Sequence, residues 1–504
     1  MVSGRPFRAG FPASQIDIYM KNRIKISAIF AIASSAAFGA ETVINYPSEG
    51  TLPFGGNTSS LEINIDGDTN GSIVAVGSSA QIGIHGQDAL TINYNSGTTL
   101  NYLSSVGPEG TYSMADITSG NSDHAYEGTI NGNVNINIAN GSFNNQTSSP
   151  AITEALIGTS YGKSSTMVVG NVNISITNGE FYGNVFGGGG ATVMGNTSLV
   201  IAGGTFKAED GVFAGNAWGG ETYGNVSLKI TGGDFSEANV YAGNHRTNPA
   251  SFSQNYIHGN TSLVVEGGTF KNLNGGSTDG KEGRLAGRSN NTSIVIRAND
   301  NIVINGDINA SSGFVDGNAE VTFVGDASKL TFTGNVKTAS TNSAANASLG
   351  GKASIKIGTA EEAFTGDFNA KINDGFASLE VSNAATEVNF ANSFNVESLS
   401  VESGAKIGLA GETSFGKFSI LFDGEFSGGE TIDYADVFAN AETQTVVLSA
   451  IESGAQFTVF GGDQEWSTTF ENGQFTVASA IPEPAEFAAF LGILAVLCAA
   501  ARRR

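Results

Sequence analysis

The sequence predicts an all-β chain whose body is a parallel β-solenoid (a β-helix), followed by a C-terminal β-rich region and a short C-terminal transmembrane helix. The alternative is an antiparallel β-sandwich array. Three observations carry the prediction. A twelve-residue line recurs five times with fixed internal spacing, its central residues alternate apolar and polar, and the connectors between copies vary in length. GNVNINIANGSF begins at Gly132, GNVNISITNGEF at Gly170, GNTSLVIAGGTF at Gly195, GNVSLKITGGDF at Gly224 and GNTSLVVEGGTF at Gly259. The structural repeat residues are therefore Asn133 and Phe143, Asn171 and Phe181, Asn196 and Phe206, Asn225 and Phe235, and Asn260 and Phe270, each pair ten residues apart. The starts lie 38, 25, 29 and 35 residues apart, a mean period near 32. A rigid unit with elastic connectors favours the solenoid, because one unit cannot bury its own apolar face and must stack on its neighbours.

Within the unit, Val226, Leu228 and Ile230 alternate with Asn225, Ser227 and Lys229, the pattern of a half-buried strand. The Gly-Gly or Asn-Gly that follows supplies the positive φ of a tight corner. Stacking then aligns like residues, so the Asn side chains are expected to hydrogen-bond up the stack and the Phe rings to form a row. A second motif follows each Phe, at Val185-Phe186-Gly187-Gly188, Val212-Phe213-Ala214-Gly215 and Val240-Tyr241-Ala242-Gly243, with Arg284-Leu285-Ala286-Gly287 as a worn copy. It reads as a second short strand ending in another corner.

Along the chain, residues 1–19 read as an overcalled start ahead of Met20. Residues 20–39 form a secretory signal peptide: Lys21, Arg23 and Lys25 lead an apolar run from Ile26 to Phe38. Cleavage is expected between Gly39 and Ala40, or just after Ala40. Residues 40–130 carry weaker strands, such as LEINI from Leu61, and read as first coils or a cap. The repeat array spans 131–336, the low-complexity stretch 337–351 reads as a linker, and 352–480 is a β-region richer in Phe. ESGAKIGL at Glu402 and ESGAQFTV at Glu452 suggest two related strand-turn-strand pieces there. Residues 481–504 close with Pro482, Glu483 and Pro484, an apolar run Phe487–Ala501, and Arg502, Arg503 and Arg504. The apolar run spans roughly 22 Å as a helix, which flanking residues and snorkelling arginines extend toward a hydrocarbon core of about 30 Å. The arginines stay cytoplasmic while the signal peptide sends the body across.

Composition narrows the function classes. Gly supplies 68 of 504 residues and charged residues only 14 %, whereas 40 % are hydrophobic, enough for a core. The formal charge is −23; without residues 1–39 and 485–504 the balance is −29. No basic patch is present, which argues against a nucleic-acid partner. Cys498 is the single cysteine, so no disulfide and no cysteine-based site is expected.

No catalytic, cofactor-binding or metal residue emerges from the motifs. The acids preceding the repeat Phe, Glu180 and Asp234, are separated by the Thr205 coil, and a glycosidase needs a carboxylate pair about 5–9.5 Å apart. Arg246, Arg284 and Arg288 fall in connectors, and His85, His124, His245 and His258 read as exposed loop residues without metal-binding spacing.

The last 24 residues resemble the PEP-CTERM sorting signal, with Ile481 where that family commonly has Val. The resemblance implies a Gram-negative inner-membrane precursor whose tail an exosortase recognises and removes, releasing the body to the surface. Signal peptidase and exosortase are the processing partners it implies. It also makes exopolysaccharide or other surface glycans the expected surroundings. The repeat body resembles an autotransporter passenger in shape, although no translocator is read in the chain. The expected function is that of an exported, non-enzymatic surface or extracellular-matrix protein, structural or adhesive. The alternative is a carbohydrate-active β-helix enzyme, a polysaccharide lyase or hydrolase.

Overall fold

The structure, a computed structural model, describes residues 41–46, 60–65, 87–94, 99–100, 105–107, 110–112, 117–118, 128–143, 157–158, 166–188, 192–208, 211–216, 220–245, 256–278, 287–339, 348–422, 426, 428–462, 464–471 and 474–480. They are mostly β-strand in large parallel sheets, consistent with an all-β parallel solenoid. One strand per coil builds a long face. Its rungs run from Glu41–Tyr46, Ser60–Ile65, Gln87–Tyr94 and Gly128–Ile138 through the repeat strands to Asn395–Glu402, Ser414–Phe422 and Gln456–Gly461. Every one of these pairings is parallel, so the antiparallel alternative is overturned for the repeat array.

The alternation read from the sequence decides which side faces in. Val226, Leu228 and Ile230 are each at most 1 % exposed, and their equivalents in neighbouring coils stand directly above and below them. The corner follows as expected: Gly179, Gly204, Gly233 and Gly268 all have φ between +108° and +139°, a region that L-residues with a Cβ avoid. The chain then enters a second face, where Phe181 pairs with Phe143 and Phe206, and Phe235 with Phe270. The Val-Phe motif forms a further strand on this face, Val185–Phe186 on Val212–Phe213 on Val240-Tyr241. Its next copy is Leu273-Asn274, which pairs with Val240-Tyr241. Leu273 fills the same buried slot with a different spacing, and Arg284, Leu285 and Ala286 of the worn copy lie outside the described residues.

The sheets do not stop at 337. Asn335–Ala339 pairs with Ile308–Ser311, Ser348–Leu349 with Phe314–Val315, and Ala353–Ile357 with Ala319–Asp326, all in parallel. The part of 337–351 from 340 to 347 lies outside the described residues. Beyond it the coils shorten: Ser378, Ser398 and Lys417 are successive rungs. The two ESGA segments share a turn, with Gly404 and Gly454 both at positive φ, but they are not equivalents. Lys406–Gly408 joins the Glu387–Phe390 strand, whereas Gln456–Gly461 extends the long face. Antiparallel pairing is confined to a short hairpin, Ser105–Gly107 with Gly110–Tyr112, and to the C-terminal end of the described residues, where Gln464–Glu471 and Gln474–Ala480 fold back over that last rung. A helix, Ala441–Glu452, interrupts the strands just before it. One contiguous apolar cluster runs from Val134 to Val477. No helix among the described residues is long and apolar enough to cross a membrane, and the expected tail helix in 481–504 lies outside them.

Candidate functional site

The sequence-predicted repeat residues come together as ladders along the stack. The backbone N–H of Asn171 donates to Oδ1 of Asn133 at 2.8 Å, that of Asn196 to Asn171 at 2.8 Å, that of Asn225 to Asn196 at 2.8 Å and that of Asn260 to Asn225 at 2.9 Å. The ladder continues through Asn291 and Asn318 and ends where the N–H of Lys352 meets Oδ1 of Asn318 at 2.9 Å. These are side-chain-to-backbone bonds: each Asn serves a donor of the next coil that the strand ladder leaves over. The Gly before each Asn makes the approach possible. A Cβ on Gly224 would lie 2.4 Å from the Gly195 carbonyl oxygen and 2.5 Å from Asn196 Oδ1.

The Phe row is equally regular. Ring centroids are 4.7 Å apart for Phe181 and Phe206, 4.3 Å for Phe206 and Phe235 and 5.2 Å for Phe235 and Phe270, with planes within 8°. A second row joins the buried Phe186 and Phe213 to the half-buried Tyr241. His245 lies edge-on to Phe186 and Phe213 and is 1 % exposed. The sequence reading of His245 as an exposed loop residue is thus corrected: it belongs to the aromatic core. His85 and His124 lie outside the described residues, as do Gly39, Ala40, Pro482, Glu483, Pro484, Arg502, Arg503 and Arg504.

On the second face, Ser142, Glu180, Thr205, Asp234 and Thr269 share one register, so Glu180 and Asp234 stand two coils apart. At about 4.8 Å per coil their Cα atoms are separated by about 9.6 Å. Glu180 accepts a hydrogen bond from the Tyr182 hydroxyl at 2.8 Å and has Lys207 Nζ at 3.9 Å, while Asp234 accepts from the Ser236 N–H at 2.9 Å. Each carboxylate is engaged locally.

A denser grouping lies where the chain re-enters the long face. Met167-Val168-Val169, Thr192-Val193-Met194, Glu221-Thr222-Tyr223 and Tyr256-Ile257-His258 each precede a Gly-Asn. The middle residues Val168, Val193, Thr222 and Ile257 are fully buried, which turns their neighbours outward. Val169, Met194 and Tyr223, 44 %, 42 % and 46 % exposed, stand in successive coils, with His258 next in the column.

From Tyr223 onward this column becomes a network. The Tyr223 and His258 rings stack at 4.3 Å and 13°, and the Tyr256 ring meets His258 edge-on at 4.2 Å. His258 Nε2 is 3.3 Å from Glu221 Oε2, and a hydrogen bond to Glu221 raises the Tyr223 hydroxyl above its ordinary pKa. Tyr256 donates to Asp316 Oδ2 at 3.2 Å; burial, then that hydrogen bond, raises its hydroxyl too. Arg288 grips Asp316 with Nε on Oδ2 at 2.8 Å and Nη2 on Oδ1 at 2.6 Å, which holds the Asp316 carboxyl below the usual range. The guanidinium also sits 5.6 Å from the centre of the Tyr256 ring.

Arg288 is therefore not in a connector but in a short paired strand, Arg288–Ser289 on Phe314–Val315. The sequence reading missed this network because it anchored on the Asn-to-Phe block. The signal was present in the alternating residues just before Gly-Asn. The arrangement presents fixed ring edges, two hydroxyls, an imidazole and an acid–guanidinium pair to solvent, suited to polar recognition or proton transfer. No cluster of three or more His, Cys, Asp or Glu suited to a metal ion occurs among the described residues. No protein-family model, curated protein or solved structure matches the chain.

Proposed function

We propose that the chain is an exported, non-enzymatic surface or extracellular-matrix protein with a structural or adhesive role. It would be delivered by the signal peptide and sorted through the PEP-CTERM-like tail by an exosortase, in a setting of exopolysaccharide. The observation that supports this most is the continuity of the ladders. The Asn, Gly and Phe that fix the repeat are spent on holding coil to coil, which makes a long scaffold rather than a pocket. The test is fractionation of the bacterium with intact-mass analysis of the chain in each fraction. The expected result is a body lacking 1–39 and the tail, at the surface or in the medium. A full-length chain retained in the inner membrane overturns the sorted-release reading.

The second reading, a carbohydrate-active β-helix enzyme, is favoured by one observation: an acid–His pair and an acid–Arg pair share one coil face with two tyrosines. A release of reducing ends or of unsaturated uronate from a polysaccharide, lost in Tyr256→Phe and His258→Ala, would establish it.

A further inference from the structure

The rungs Ser414–Phe422 and Gln456–Gly461 are paired neighbours, and the segment 428–455 before the second rung returns to the stack at Phe438, which bridges Ile407, and then forms a helix, Ala441–Glu452. Its helix is pinned to the coil at one point. The buried Thr443 hydroxyl accepts from the Leu409 N–H at 2.8 Å and donates to Asn440 Oδ1 at 2.9 Å, and Asn440 Oδ1 also caps the helix through the Thr443 N–H at 2.8 Å. Val446 and Val447 bury the inner side. The pinning holds the helix beside residues 411–416, a turn and the start of the Ser414–Phe422 strand, and a cleft of about 680 Å³ lies between them, within the range of roughly 300–1,000 Å³ typical of small-molecule sites.

One wall is a single helix face, Glu442, Thr445, Val446 and Ser449, spaced three and four residues apart. The other carries Thr413, Ser414 and Phe415. Gly411 keeps it open: a Cβ there would meet only Glu442 Oε1, at 3.6 Å. Thr413, 6 % exposed, sits at the base of this wall with its hydroxyl buried, so the groups that a bound molecule meets are those of the exposed helix face, Glu442, Thr445 and Ser449.

We propose that this cleft binds a neutral saccharide. Resting on the adhesive reading above, the inference gives that role a site. The lining holds several hydroxyls, one carboxylate and no cationic side chain. A carboxylate accepts from two adjacent sugar hydroxyls, the exposed Ser449 hydroxyl both donates and accepts, and the Thr445 hydroxyl, which donates to the Ala441 carbonyl at 2.9 Å, keeps its acceptor side. Glu442 repels a uronate or a sulfated glycan. A single carboxylate is too few ligands to hold calcium.

The experiment is isothermal titration of the purified full chain with gluco-, manno- and galacto-configured neutral tetrasaccharides, and with a tetragalacturonate as the anionic probe. The expected result is saturable binding of at least one neutral tetrasaccharide and none of the tetragalacturonate. Glu442→Gln is expected to weaken binding roughly tenfold or more, since a hydrogen bond to a charged group is removed. Ser449→Trp, which fills the cleft from an exposed helix position, is expected to abolish it. Glu412→Gln, outside the lining, leaves it unchanged, and an unaltered thermal melt shows that each variant is folded. Absence of binding by all three neutral probes, preference for the anionic probe, or binding indifferent to both cleft variants overturns the proposal. Failure here leaves the sorting result untouched, and retention in the inner membrane leaves the cleft's binding measurable.

Discussion

At the scale of single residues, the stack depends on atoms that are absent as much as on those present. Gly224 has no Cβ, and the Gly195 carbonyl and Asn196 Oδ1 occupy the space one would take. Gly224→Ala therefore forces two coils apart, and overpacking of this kind costs about 1–3 kcal/mol. Asn196→Ala removes one acceptor for the Asn225 N–H, a loss of about 1 kcal/mol. The smaller chemical change is thus expected to do the greater damage. Denaturant midpoints of the two variants check the order, and a Gly224→Ala protein as stable as the parent contradicts it. Phe206 is sandwiched by rings at 4.7 and 4.3 Å, and Phe206→Ala is expected to cost about 3–5 kcal/mol. Phe206→Leu, which refills much of the volume, should recover a large part, as read by the same denaturation.

At the scale of elements, neighbouring strands are tied by charge as well as by backbone. Glu266 is 2.9 Å from Lys229 Nζ and 2.7 Å from Arg297 Nη1, and Arg297 Nε reaches Glu362 at 2.7 Å. Burial alone would raise the Glu266 carboxyl; the hydrogen bonds from Lys229 and Arg297 outweigh it and hold it below the ordinary value. A folded-state pKa below the unfolded one gives stability that is complete above the unfolded value and is lost as pH falls through the folded one. The melting temperature of the parent is therefore expected to hold from neutrality to about pH 4.5 and to drop below it, and Glu266→Gln should reduce that drop. A variant whose acid limb matches the parent's would remove Glu266 from the account.

Strand existence and register were legible at this scale because Val226, Leu228 and Ile230 repeat in kind from copy to copy. Less legible were elements that share a slot without sharing a residue type. Leu273 replaces Val240's equivalent, and Arg288 stands above Tyr256 although the connectors before them differ in length. His245 was misread because the aromatic pocket that buries it comes from coils 32 and 59 residues earlier, through Phe213 and Phe186. The cleft was invisible for a similar reason: the sequence reading takes 352–480 as a β-region and so misses the helix Ala441–Glu452, and the segment that helix packs beside lies one rung back.

At the scale of the whole molecule, a stack in which each coil contacts chiefly its neighbours has a problem at its ends, because a parallel rung with a free edge is a template for another chain. The C-terminal strands meet that problem. Gln464–Glu471 pairs with the last rung through Val459–Gly461 and then with Gln474–Ala480, while Thr431–Asp433 secures the outer strand. Phe475 fixes the cover: it is fully buried, 5.0 Å from the Phe457 ring and 4.6 Å from Tyr434. A chain truncated after Gly461 leaves the outer edge of Gln456–Gly461 unpaired on a parallel sheet. It is expected to associate in a concentration-dependent manner, seen as a rise in light-scattering mass, while its circular dichroism keeps the β signature of the remaining coils. Phe475→Ala keeps every backbone donor of the cover but loosens its seat, so it should associate more weakly and only at higher protein concentration. If both proteins stay monomeric with their β signal intact, the terminal hairpin is not what protects the edge, and the acidic composition, a formal charge of −23 over the chain, is the remaining source of mutual repulsion. Added salt separates these two accounts, because screening abolishes charge repulsion between copies and leaves a paired edge unaffected.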